Sequence, residues 1–155
     1  MSKKGLVTSV HQRLQLIARE SGREFNSVQL RYVQERFLYR LSQTTYKDAF
    51  ILKGALLFVA FDIPTLRPTK DIDFLGSEVS NNLDDLKKII QDICSIEYND
   101  AVDFETDSVE VIAITEEKEY PGARVKIIAK LGTARVTLWL DFGFGDKIIA
   151  GPVEI

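Results

Sequence analysis

Asp71-Ile72-Asp73-Phe74-Leu75 constrains this chain more than any other stretch, because it sets two carboxylates at i and i+2 inside an apolar run. In a strand, alternate side chains leave on the same face. Asp71 and Asp73 then point one way, while Ile72 and Phe74 point the other way into a core. Two unit negative charges about 4 Å apart repel by about 4 kcal/mol at an effective dielectric of about 20. Such an edge needs solvent, a basic partner or a divalent cation. One or two carboxylates completed by substrate phosphates are what Mg2+ takes, so the pattern points to a metal site for phosphate chemistry.

The rest of the composition narrows the choices. At 155 residues the chain holds one domain with a sizeable core and is too short for two comfortable ones. No uninterrupted apolar stretch is long enough to span a bilayer, and Met1-Ser2-Lys3-Lys4-Gly5 lacks the apolar block of a secretory signal. The lone Cys94 cannot form an intramolecular disulfide, which fits a reducing cytoplasm. A net charge of -3 argues against a basic coat over the whole surface. The single His11 excludes a zinc site of ordinary composition and gives Ser–His or Cys–His catalysis little support. Catalysis, if present, falls to Asp, Glu, Lys, Arg and metal.

Hydrophobic periodicity predicts a helical first third and a mixed sheet after it. Thr8 or Ser9 can cap a first helix that Gly22 ends, and Asn26-Ser27 can open a second with Val28, Leu30, Val33, Phe37 and Leu41 as its apolar stripe. Arg31, Arg36 and Arg40 flank that stripe. Solvated helix sides are the default reading for them, with RNA contact as the alternative. Phe50-Ile51-Leu52 reads as a short strand, Lys53-Gly54-Ala55 as a turn into a helix through Phe61, and Pro64 and Pro68 as brackets of a further turn. Asp71–Leu75 is the next strand, and Ser80, Asn81 or Asn82 caps a helix running to about Ser95, with Cys94 as inert packing near its end. Val109–Thr115, Ala123–Lys130 and Arg135–Phe142 read as strands, separated by Pro121-Gly122 and Gly132. The fold class is therefore α/β (α+β), a mixed sheet with helices, preceded by N-terminal helices.

Three other places complement the acidic pair. In Leu138-Trp139-Leu140-Asp141-Phe142, alternation puts the apolar residues on one face and Trp139 with Asp141 on the other. A carboxylate ending an apolar strand is rarely buried unpaired. It either accepts loop hydrogen bonds or joins Asp71 and Asp73 as a third ligand, and their company favours the triad. Arg124 and Lys126 share a face of their strand and can offset phosphate charge, or they can belong to an ordinary polar sheet face. At Lys53-Gly54-Ala55 a glycine lets a phosphate approach backbone N–H groups at a helix start, and Lys53 can add a point charge. Thr69 shares the parity of Asp71 and Asp73 and can orient a carboxylate or a phosphate, whereas Arg67 can brace the strand.

Together these stretches resemble the AbiEii/AbiGii-type toxin family of the polymerase-β-like nucleotidyltransferase superfamily. The matching segments, in order, are Glu35–Leu41, Phe50–Ala55, Arg67–Phe74, Tyr120–Val125 and Leu140–Asp146. The resemblance implies a polymerase-β-like minimal nucleotidyltransferase fold and transfer of a nucleotide from an NTP with Mg2+, in a two-metal site that Mn2+ can also serve. It implies Asp71 and Asp73 as paired metal ligands, Asp141 as the third carboxylate, Lys126 as the basic residue of the preceding strand, and Gly54 as the phosphate turn. Lys53, Ala55, Thr69 and Arg124 complete the expected nucleotide site. It also implies the toxin half of a toxin–antitoxin or abortive-infection pair, with RNA such as tRNA as acceptor and an antitoxin protein as partner.

Two departures bear on activity. The wider superfamily carries Gly-Ser where this chain has Gly54-Ala55, and members usually continue into a C-terminal helical section beyond the Asp141 region. The expected organisation is one nucleotidyltransferase domain over 1–155, helical over 1–45 and mixed-sheet over 46–155, without that C-terminal section. The competing expectation is a catalytically weak or inactive module of this fold that binds nucleotide or a partner protein.

Overall fold

The computed structural model describes residues 2–47, 49–53, 71–76, 82–114 and 122–143, with the backbone alone at 51–53. Helix α1 runs Lys3–Ser21 and α2 runs Phe25–Ser42. Helix α1 starts earlier than Thr8 because Ser2 caps it, its side chain accepting from Gly5 N at 3.1 Å. The Thr8 hydroxyl instead donates back to the Lys4 carbonyl within the helix. Gly22 ends α1 in the left-handed region at φ 70°, as expected of a C-terminal glycine. Helix α2 begins ahead of Asn26-Ser27, because the Ser27 and Val28 N–H groups already donate to the Glu24 carbonyl.

Strands β1 (Phe50–Lys53) and β2 (Asp71–Gly76) precede α3 (Leu83–Cys94). The Asn82 side chain caps α3 by accepting from the Asp84 and Asp85 N–H groups. Strands β3 (Val102–Phe104), β4 (Glu110–Ile114), β5 (Gly122–Leu131) and β6 (Ala134–Gly143) follow. The expected helix after Lys53 and the turn between Pro64 and Pro68 lie outside the described residues.

The sheet order is β1-β2-β6-β5-β3, with β4 also paired to β5. Strands β2 and β6 are parallel and the remaining pairs antiparallel, so the sheet is mixed. Gly132 turns the β5–β6 hairpin at φ +66°, and a Cβ there would meet Val7 Cγ1 at 2.6 Å. Glycine is thus required twice, by the backbone and by α1 lying against it.

One sheet face is the core. Ile72, Phe74, Val125, Ile127, Leu138, Leu140 and Phe142 are buried on it, against Val10 and Leu14 of α1, Val33 and Phe37 of α2, and Leu86, Ile90 and Ile93 of α3. Phe74 stacks on its register partner Phe142 with ring centroids 5.1 Å apart, and Phe50 closes against both. This aromatic cluster lies under the strand segments whose opposite face carries the acidic residues. Cys94 is buried in the same core, which pushes its thiol up to about 12, in keeping with inert packing. No described helix is long and apolar enough to cross a membrane.

Two of the α2 arginines depart from the reading as solvated flanks. Arg40 is 1% exposed, and all five of its N–H donors are placed. They go to the Ile96, Arg36 and Val102 carbonyls and to both oxygens of Asp100, at 2.8 and 3.1 Å. Arg36 donates to the same Asp100 at 2.7 Å, and the Tyr32 hydroxyl donates to its carbonyl. These bonds tie the segment between α3 and β3 to α2 and accompany Ala101 in the left-handed region at φ 69°. Arg31 stays on the exposed flank, paired with Glu35.

Candidate active site

The face opposite the core gathers the charged residues, and strand register decides who meets whom. Asp73 of β2 lies opposite Asp141 of β6, which lies opposite Arg124 of β5. One step along the strands, Asp71 lies opposite Trp139, Trp139 opposite Lys126, and Lys126 opposite Glu110. At the other end of the first row, the Lys53 backbone pairs with Asp73. Partners directly across a sheet share a face, so alternation and register together put Asp71, Asp73, Asp141, Arg124, Lys126 and Trp139 on one surface. The burial pattern agrees, since each alternates with a buried neighbour. Gly54, Ala55 and Thr69, expected to hold phosphate, lie outside the described residues.

Arg124 lies between the carboxylates of this surface. Its Nε donates to Asp141 Oδ1 at 2.8 Å and one terminal nitrogen donates to Oδ2 at 3.1 Å, a two-point contact. The same terminal nitrogen lies 3.6 Å from Asp71 Oδ2. The hydrogen bond to Asp141 holds the guanidinium above its ordinary value, with that carboxylate's charge and those of Asp71 and Asp73 adding to the effect. The Trp139 ring lies beside both cations, 5.6 Å from Arg124 and 5.9 Å from Lys126. Sequence parity put Trp139 on this face but assigned it no part. Its proximity to the two cations follows from the β5–β6 register.

By donor chemistry the three carboxylates suit a hard divalent cation. Asp73 and Asp141 sit side by side, with Asp71 two residues along. Among the described residues, however, no three of His, Cys, Asp or Glu form an ion cage. Both Asp141 oxygens are turned to Arg124, a cation already within the acidic group.

A family model described as the nucleotidyl transferase AbiEii toxin of type IV toxin–antitoxin systems matches residues 36–155. The chain belongs to the AbiEii family. The match takes in β2, β5 and β6, the strands that carry the carboxylates and the cations. Among solved structures, the chain is similar to JHP933 from Helicobacter pylori, at 15% identity and TM-score 0.47, covering 79% of this chain and 45% of that one. It is also similar to an H. pylori protein provisionally described as a nucleotidyltransferase, at 15% identity and TM-score 0.42, covering 76% and 44%. The chain thus spans less than half the length of either structure. No curated protein matches it.

Proposed function

We propose that this AbiEii-family chain transfers a nucleotide from an NTP to an RNA acceptor such as tRNA, as the toxin partnered by an antitoxin protein in the cytoplasm. The observation that carries the reading is the row Asp73–Asp141–Arg124 beside Asp71 and Lys126, on the sheet face away from the core. Carboxylates and basic side chains on adjacent strands support the reading, the first suiting a cation and the second a polyphosphate.

In this reading Asp71, Asp73 and Asp141 hold divalent ions, Mg2+ first and Mn2+ as an alternative, which would offset phosphate charge and activate the acceptor hydroxyl. The hydroxyl attacks the α-phosphorus as the bond to pyrophosphate breaks. Lys126, Arg124 and Lys53 balance the charge of the polyphosphate. Gly54 and Ala55 offer backbone N–H groups to it, and Thr69 orients a carboxylate or a phosphate. The packed core beneath β2 and β6 supports the strands that carry the carboxylates.

Incubation with each labelled NTP, Mg2+ and total RNA tests the reading directly, with Asp71→Asn as control. Label should enter RNA with the wild type and not with the variant. A second reading, a weakly active or inactive module, draws on the engagement of both Asp141 oxygens by Arg124. Nucleotide binding without any transfer would favour it.

A further inference from the structure

Arg124 occupies the place in the acidic group where a cation is needed. Arg124 donates to each Asp141 oxygen within 3.1 Å while lying 3.6 Å from Asp71, so a divalent ion brought to the same oxygens meets the like charge of the guanidinium at close range. We infer that Arg124 is a resident counter-cation that holds Asp141 in the ion-free protein and competes by its charge with a divalent ion for that carboxylate, giving it up as the ion binds. The inference rests on the reading of Asp71, Asp73 and Asp141 as the ion site.

Three observations make the exchange physically reasonable. The Arg124 side chain is 45% exposed, so water can solvate it after it lets go. An exposed pair is held weakly, because solvent screens it and two side chains must be ordered to make it. The guanidinium already lies over the Trp139 ring, a second attractive surface when the carboxylate is withdrawn. Its planar fork also matches phosphate as well as carboxylate, so a departing Arg124 remains useful to a nucleotide arriving at the same face. Lys126 shares the face and lies opposite Trp139 in register rather than Asp141, which makes it the natural control.

Trp139 is the chain's only tryptophan, so its fluorescence reports on the neighbouring guanidinium without a label. Calorimetric titration with Mg2+ alone, followed in parallel by this fluorescence, tests the inference on the full chain. Arg124→Gln should bind Mg2+ about three- to tenfold more tightly than the wild type, with Arg124→Lys between them because ammonium cannot make the two-point contact. Lys126→Gln, which removes the same charge without freeing Asp141, should gain less than about twofold. The wild-type fluorescence should change on Mg2+ binding, and that change should be largely lost in Arg124→Gln.

Equal affinity in wild type and Arg124→Gln, an equal gain in Lys126→Gln, or a fluorescence change that persists without Arg124 would overturn the inference. Those results would leave the ion site itself standing. Absence of Mg2+ binding in every variant would overturn both the inference and the ion-site reading on which it rests.

Discussion

Arg40–Asp100 and Arg124–Asp141 are both two-point guanidinium–carboxylate pairs, yet their surroundings differ sharply. Arg40 and Asp100 are 1% and 7% exposed, and every Arg40 donor has a partner. Arg124 and Asp141 are 45% and 22% exposed, on a face that gathers further charge. Burial raises the cost of losing either member of a pair, because the other is left as an uncompensated charge away from water. Exposure lets water or another ion take over. One pair therefore fastens the loop before β3 to α2, and the other can be exchanged. Chemistry is shared between them, and solvent access separates the roles.

The largest expected effect lies on the exposed side and concerns activity. Asp71→Asn should lower nucleotide transfer by roughly three orders of magnitude or more, as loss of a group acting in a unit does. Its melting temperature should stay within about 2 °C of wild type, since the contact it loses to Arg124 is long and exposed. A collapse in thermal stability would make Asp71 structural and erase the contrast.

Arg40→Ala should cost about 3–5 kcal/mol in denaturant unfolding, whereas Arg124→Ala should cost about 1 kcal/mol or less. Equal costs in paired urea titrations would break the comparison outright. Acid should sharpen it further. Burial pushes the Asp100 carboxyl upward, but hydrogen bonds from Arg40 and Arg36 outweigh this and hold it below its ordinary 3.8. A depressed folded value means that its contribution is present above 3.8 and is lost as pH falls through the lower folded value. In Asp100→Asn, stability followed by circular dichroism should be lower at neutral pH and fall less steeply below about pH 4 than in the wild type. An unchanged acid slope would show that other carboxylates control it.

The smallest effect calibrates the exposed end. Arg31 and Glu35 form an i,i+4 pair on α2 at 3.1 Å, and Arg31→Ala should change stability by about 0.5 kcal/mol or less. A larger loss would mean that exposed pairs in this protein count for more than their solvation suggests, Arg124–Asp141 included.

Much of the fold and part of the site were legible because they depend on local geometry. Alternation alone separates Asp71 and Asp73 from Ile72 and Phe74, and Asp141 from Leu140 and Phe142. Gly22, Asn82 and Gly132 mark ends and turns through their own backbone or side-chain preferences. Strand β3, three residues long, carries too little periodicity to stand out. The start of α1 was misplaced because Thr8 looks like a cap while its hydroxyl serves the helix interior.

What the amino-acid order determines by itself is the face on which each strand residue lies, since a period of two needs only neighbouring residues. Which charges meet was decided only in three dimensions. Helical spacing sets Arg40 beside Val33 and Phe37, but Asp100, the carboxylate that lets it be buried, lies 60 positions away and nothing local names it. Asp141 meets Arg124 across 17 positions through the β5–β6 register, and it shares a row with Asp73 only because β6 runs parallel to β2. Register and burial depend on how distant segments pack, so the partners of these charges are properties of the folded molecule as a whole.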